Sequence, residues 1–140
     1  MLEHTHTVKV YYRDIDKMGI VYYSRYFEYF EESRTELFAS IGLQITDVEK
    51  KGITLPVVSC QCDFKQGARF EDIILIRSWV SEKPKSTLKI FYKAFLKKTN
   101  DLLVSGYTLH AFVNSTGKPI KPPKSILGGF IGFPVLFTNA

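Results

Sequence analysis

One long amphipathic segment, starting at residue 22 or 24 and running to residue 41, constrains this chain more than any other feature. Placed at about 100° per residue, Tyr26, Phe27, Phe30, Leu37, Phe38 and Ile41 gather into one arc, while Glu28, Glu32, Thr35 and Glu36 fall elsewhere. Gly42 supplies the stop. Arg34 lies inside the apolar arc with Glu31 at its edge, which predicts a Glu31–Arg34 contact one turn apart. A single helix of this kind has one face to bury, and the rest of the chain must cover it.

The cover is predicted to be a sheet. Residues 7–12 read as a first strand rich in Val and Tyr, and residues 13–19 as a polar loop ending in a turn-permissive glycine. After the helix and a short polar connection come four strand-like segments, at residues 53–64, 72–80, 86–97 and 102–113. Turn signals separate them at 65–67, 82–85 and 99–101. Short links between long strands favour antiparallel hairpins over crossover connections. The expected class is therefore α+β, with the helix lying across the concave face of an antiparallel sheet. The 72 and 102 segments are apolar on both faces, so one face or edge is expected to meet a second subunit.

Composition narrows the partners more than the fold. The chain has 140 residues and reads as one domain, residues 1–140, with an apolar tail at 122–140. Its net charge of +5 comes mainly from scattered lysines, with no basic run or module of the kind nucleic-acid binding uses. A modest basic surface also suits a ligand carrying several phosphates. Cys60 and Cys62 are two apart, the wrong spacing for a redox or zinc pair, and are expected to be reduced core thiols. His4 and His6 lack further ligands and read as ordinary residues near a frayed terminus, so no metal site is expected. The first six residues do not resemble a signal peptide, and a cytoplasmic protein is expected. The longest apolar stretch, residues 126–137, is too short to span a bilayer and contains Gly128, Gly129, Gly132 and Pro134. It is expected to be docked or poorly ordered.

The chemistry is concentrated in Tyr12-Arg13-Asp14-Ile15-Asp16-Lys17-Met18-Gly19-Ile20-Val21-Tyr22-Tyr23-Ser24-Arg25-Tyr26. An ionised Asp can attack a carbonyl or deprotonate water. The first turn of the following helix offers unpaired N–H groups that can hold a developing oxyanion. Spacing alone does not choose between Asp14 and Asp16. Asp14 also reads as a loop brace that accepts nearby backbone N–H groups.

This stretch resembles the hotdog-fold acyl-CoA thioesterases typified by 4-hydroxybenzoyl-CoA thioesterase and the bacterial Tol-Pal-associated acyl-CoA thioesterases. Their motif is met by Asp14, Asp16, Gly19, Val21, Tyr23 and Tyr26, followed by the helical turn Phe30-Glu31-Glu32-Ser33-Arg34. A looser likeness runs through Phe70-Glu71-Asp72 and Val113-Asn114 to Lys118-Pro119, covering about residues 5 to 122. The resemblance implies a hotdog fold and hydrolysis of an acyl-CoA to a carboxylic acid and free CoA. Neither a metal nor a bound organic cofactor is implied; coenzyme A belongs to the substrate.

The resemblance also implies roles for single residues. Asp16 matches the catalytic carboxylate, the backbone N–H of Tyr23 matches the carbonyl-polarising donor, and Gly19 lets the loop turn. Many bacterial members carry His at the position of Tyr23, so this chain lacks that possible general acid or base. His110, on a predicted strand, reads as structural. Lys83, Lys85 and Ser86, in the turn where the family binds the nucleotide, are implied as phosphate contacts. Tyr26, with Tyr22, Phe27 and Phe30, is a candidate for the acyl pocket. Lys89, Lys93 and Lys97 share a strand face that reads equally as solvated, snorkelling lysines. The family's oligomers imply a homodimer or homotetramer. An acyl-carrier-protein thioesterase, or a non-catalytic domain binding acyl thioesters, are the alternatives. A hotdog dehydratase would need a His that the motif does not supply.

Overall fold

The computed structural model describes residues 2–131. Five strands, β1 (Leu2–Lys9), β2 (Val57–Phe64), β3 (Ile73–Val80), β4 (Thr87–Leu96) and β5 (Leu102–Ala111), form one sheet in the order β1-β3-β4-β5-β2. Every pairing is antiparallel. Helix α1 (Arg25–Ser40) lies against the sheet, α2 (Ile45–Lys50) follows it, and α3 (Lys124–Ile131) comes after the last strand. A sheet wrapped round one long helix is the hotdog arrangement, so the expected α+β class holds.

Helix α1 buries Tyr26, Tyr29, Phe30, Ser33, Leu37 and Phe38. Against them stand the inward residues of the central strands, including Ile74, Ile76, Leu88, Ile90 and Tyr92. Phe30 stacks on Tyr92 with ring centroids 4.2 Å apart, which locks the middle of the helix onto β4. Glu31 and Arg34 do meet, at 4.0 Å. Phe27 and Ile41 are only half-buried, and Tyr29, outside the expected arc, is buried.

Several expectations need correction. The first strand begins at Leu2 and ends at Lys9, and residues 12–14 form a short 3-10 turn. His4 and His6 therefore sit in a paired strand opposite Ser78 and Ile76, not in a frayed terminus. The polar connection after α1 contains α2. Cys60 is exposed and Cys62 half-buried, both as free thiols on the edge strand β2, because that strand has a neighbour on one side only. Of the tail, residues 124–131 are helical, with Ile126 and Phe130 buried beside Phe38, Leu43 and Val48. The rest of the predicted 126–137 stretch lies outside the described residues.

Gly106 on β5 faces Cys62 on β2, and a Cβ there would overlap the main-chain carbonyl of Gln61. Backbone cannot yield as a flexible side chain can. Gly106→Ala is expected to destabilise the fold by about 1–3 kcal/mol, read from urea unfolding, through separation of β5 from β2.

Candidate functional site

The loop between the 3-10 turn and α1 is tied at many points. The Asp16 N–H donates to the Ile20 carbonyl and the Gly19 N–H to the Asp16 carbonyl, both at 2.9 Å. Gly19 has φ of 79°, a left-handed conformation that glycine adopts without a side-chain penalty. The Val21 N–H donates to the Ala68 carbonyl at 2.9 Å, anchoring the loop to the segment that leads into β3. Asp16 braces its own turn: its Oδ1 accepts from the Met18 N–H at 2.8 Å and the Ile20 N–H at 3.4 Å. Its Oδ2 has no protein hydrogen bond among the described residues.

The two aspartates, equivalent by spacing, occupy different surroundings. Asp14 is buried, accepts the Tyr11 N–H on Oδ2 at 2.8 Å, and has Arg25 Nε 3.7 Å from Oδ1. It lines a groove with His6, Arg25, Tyr29 and Glu32. Asp16 lines a different cleft, of about 420 Å3, with Met18, Ile20, Tyr22, Tyr23, Tyr26, Phe64 and Gly67.

Helix α1 opens into that second cleft. The Tyr22 N–H is taken by the Asp14 carbonyl at 2.8 Å, and the N–H groups of Arg25, Tyr26 and Phe27 close the first turn. The N–H groups of Tyr23 and Ser24 have no backbone acceptor among the described residues. They are the unpaired donors expected where a helix begins, with the positive end of its dipole behind them. Ser24 was not singled out from the sequence, although any first-turn amide qualifies on the same grounds.

Tyr26 forms part of the cleft wall, 5.8 Å from Phe64 between ring centroids. Burial pushes its hydroxyl pKa up to about 12, so it stays protonated. Phe64, Gln66 and Gly67 are wall residues that the sequence did not reveal. They arrive from the far end of β2, and only the pairing of β2 with β5 places them here.

Lys83, Lys85 and Ser86 are not brought to Asp16 within one chain. They line a cleft of about 410 Å3 at the β3–β4 turn, with Lys89 and Phe91. The Asp16 loop follows the Lys9 end of β1, which pairs with Ile73, whereas the turn follows Val80. Along β3 the two ends are about 23 Å apart at ~3.3 Å per residue. The Lys89 ammonium lies 4.2 Å from the centre of the Tyr107 ring, a cation–π placement on the outer face of the sheet.

His110 is buried and hydrogen-bonded on both nitrogens. Nδ1 lies 3.0 Å from the Leu55 carbonyl, which can only accept, so Nδ1 carries the proton. Nε2 then accepts from the Thr108 hydroxyl at 2.8 Å, and Thr108 accepts from the Tyr92 hydroxyl at 2.7 Å. Burial holds the His110 pKa below its ordinary value near 6.5. Unfolded chain takes up the proton first as pH falls, so this contribution to stability is full above about pH 6.5. It is lost as pH falls from there through the depressed folded value. Urea midpoints measured from pH 7.5 to 5 are expected to fall, with a smaller slope in His110→Gln.

No group of three or more His, Cys, Asp or Glu side chains placed to hold a metal occurs among the described residues. No helix among them is long and apolar enough to cross a membrane.

The fold is a hotdog sheet, and its Asp16 cleft brings a carboxylate, apolar walls and the start of α1 together. The chain belongs to the thioesterase-like superfamily, whose family profile matches residues 10–130. It is 30% identical over 126 residues to the acyl-CoA thioesterase YbgC of Haemophilus influenzae, covering 88% of this chain and 90% of that one. Among solved structures, the DHNA-CoA thioesterase of Staphylococcus aureus superposes with a TM-score of 0.91 at 23% identity, covering 99% of this chain and 95% of that one. A 4-hydroxybenzoyl CoA thioesterase bound to 4-hydroxybenzoyl CoA superposes at 0.83 with 20% identity, covering 92% and 99%. At these identities the structural likeness concerns the fold.

Proposed function

We propose that this chain is an acyl-CoA thioesterase, a hydrolase that converts an acyl-CoA thioester to a carboxylic acid and free CoA. One observation carries the reading. Asp16 and Tyr23 line the same cleft, and among the described residues the Asp16 Oδ2 has no protein hydrogen bond and the Tyr23 N–H no backbone acceptor, so an anionic oxygen and a helix-terminal donor are available together for a carbonyl bound there. The similarity to YbgC across 88% of the chain supports the choice of substrate class.

In the proposed reaction the thioester oxygen accepts from the Tyr23 N–H, with the Ser24 N–H beside it, and negative charge grows on that oxygen. Asp16 acts as nucleophile or as base. As base it takes a proton from water while the water oxygen bonds to the carbonyl carbon. The C–S bond then breaks, and the thiolate leaves to be protonated as CoA. As nucleophile it forms an anhydride that water opens to the same products. The chemistry uses only the chain's own groups, without a metal or organic cofactor.

Tyr26 and Phe64 form the acyl-side wall in this reading. Lys83, Lys85 and Ser86 hold the nucleotide phosphates of a substrate bound at a neighbouring copy, since one chain keeps them far from its own Asp16. A homodimer, or a homotetramer built from two, supplies that neighbour. The edge strand β2 supports pairing, with Val57, Val58 and Phe64 exposed along it. A reducing, cytoplasmic setting suits the free thiols.

The test is free-thiol release from a panel of aliphatic and aromatic acyl-CoAs. Saturable release from at least one is expected. An acyl-carrier-protein thioesterase would act instead on carrier-bound acyl groups. Inactivity on both would leave the non-catalytic, thioester-binding reading.

A further inference from the structure

A further cleft, of about 350 Å3, opens between α1, α2 and the segment before β2, and shares no wall residue with the Asp16 cleft. Its apolar wall comes from Phe38, Ile45, Val48 and Leu55, and Arg34 and His110 contribute the polar part. Arg34 is eleven residues beyond Tyr23 on the chain, about 16 Å along the helix at ~1.5 Å per residue.

The Arg34 side chain is only 17% exposed, yet its one acidic contact among the described residues is Glu31 at 4.0 Å, the limit of an ion pair. No carboxylate or carbonyl among the described residues accepts a hydrogen bond from it. A guanidinium carries five donors in a planar fork, and with the Tyr92 hydroxyl as a neutral neighbour and no carboxylate closer than 4.0 Å, most of those donors are left for water or a ligand. His110 cannot serve as an acceptor, because both its nitrogens are engaged with Thr108 and Leu55. Glu31 and Glu49 also border the cleft, but both are exposed and their charges are screened by water. The largely desolvated cation therefore sets the preference inside.

We propose that the Arg34 cleft is a second ligand site, taking the carboxylate of a small acid whose apolar body lies against Phe38, Ile45, Val48 and Leu55. The fork of Arg34 pairs with the two carboxylate oxygens, displacing the weak contact with Glu31. The volume sits at the low end for ligand pockets, which selects a body the size of a benzene ring or a short alkyl chain. An acid of this kind is also the product class of the proposed hydrolysis, but the site goes beyond that reading and does not depend on it.

The test is direct binding to the full chain by calorimetry, with benzoate and hexanoate compared with benzamide and hexanamide. Both acids are expected to bind saturably and the amides not at all. Asp16→Asn is expected to retain acid binding, which separates this site from the hydrolytic one even if no acyl-CoA is turned over. Arg34→Gln is expected to weaken acid binding tenfold or more. Glu31→Gln, at an exposed side chain, is expected to tighten it severalfold, and it decides the matter if Arg34→Gln does not fold. No acid binding up to about 10 mM, unchanged affinity in a folded Arg34→Gln, unchanged affinity in Glu31→Gln, or loss of binding in Asp16→Asn would each overturn the proposal.

Discussion

Asp16→Asn is expected to lower kcat/KM for thiol release by about a hundredfold or more, with little change in stability. The substitution is unusually clean because of how the loop is tied. The amides of Met18 and Ile20 both donate to Oδ1, and an Asn side chain offers the same oxygen in the same place. The turn through Gly19 should therefore persist, and Tm should move by no more than a few degrees. What disappears is the anionic Oδ2, replaced by an amide nitrogen that neither attacks a carbonyl nor takes a proton at neutral pH. Asp14→Asn makes the contrast. It changes a buried carboxylate whose Oδ2 accepts the Tyr11 N–H and whose Oδ1 faces Arg25, so its main effect is expected on stability, about 1–2 kcal/mol. Tyr23→Phe should stay within a few-fold of wild type, since the proposed donor is main-chain. Full activity in Asp16→Asn would eliminate Asp16 as nucleophile or base.

How far the sequence could be read depended on whether neighbours in space were also neighbours in the chain. The arc through Phe30, Leu37 and Phe38 is local, and periodicity exposes it. Tyr29 lies outside that arc and is buried beside Tyr26 and the groove it shares with β1, while the start of β1 lies five residues before the expected one. Leu-Glu-His-Thr-His-Thr carries almost no apolar signal, and its strand conformation is imposed by pairing with β3.

The same division runs through the candidate site. Spacing leaves Asp14 and Asp16 equivalent; the family resemblance singles out Asp16, and the fold adds the physical difference, one facing Arg25 and the other lining the cleft with Tyr23 and Tyr26. Phe64 reaches that cleft through strand pairing, which composition does not encode. Cys60 and Cys62 looked like core because an edge strand and a central strand can share one pattern of residues. Sheet order, not hydropathy, decides which is covered. The turn bearing Lys83 and Lys85 was placed correctly in the chain, but its distance from Asp16 follows from the register of β1 on β3.

Phe30→Ala is expected to be the most destabilising single change in the long helix, at about 3–5 kcal/mol. Phe30 is fully buried, stacks on Tyr92 with an interplanar angle of 9°, and meets Phe27 edge-on at 5.9 Å. Truncation removes a ring from a packed seam where α1 and β4 cannot close the gap without moving the Tyr92 hydroxyl off Thr108. Against a total of roughly 5–15 kcal/mol for a domain, that loss is a large fraction. With a urea slope of about 2 kcal/mol per molar, the midpoint should fall by roughly 2 M, measured at one protein concentration so that any self-association is held constant. Phe30→Leu, which keeps most of the volume, should cost about 1.5 kcal/mol or less. Phe27→Ala, at a half-buried ring, should also fall well short of Phe30→Ala. The helix that Phe30 anchors also carries the Tyr23 amide at its start, so activity in Phe30→Ala should fail at a lower temperature than in wild type. If Phe30→Ala shifts the midpoint no more than Phe27→Ala does, the stacking of Phe30 on Tyr92 is not the seam that holds α1 to the sheet.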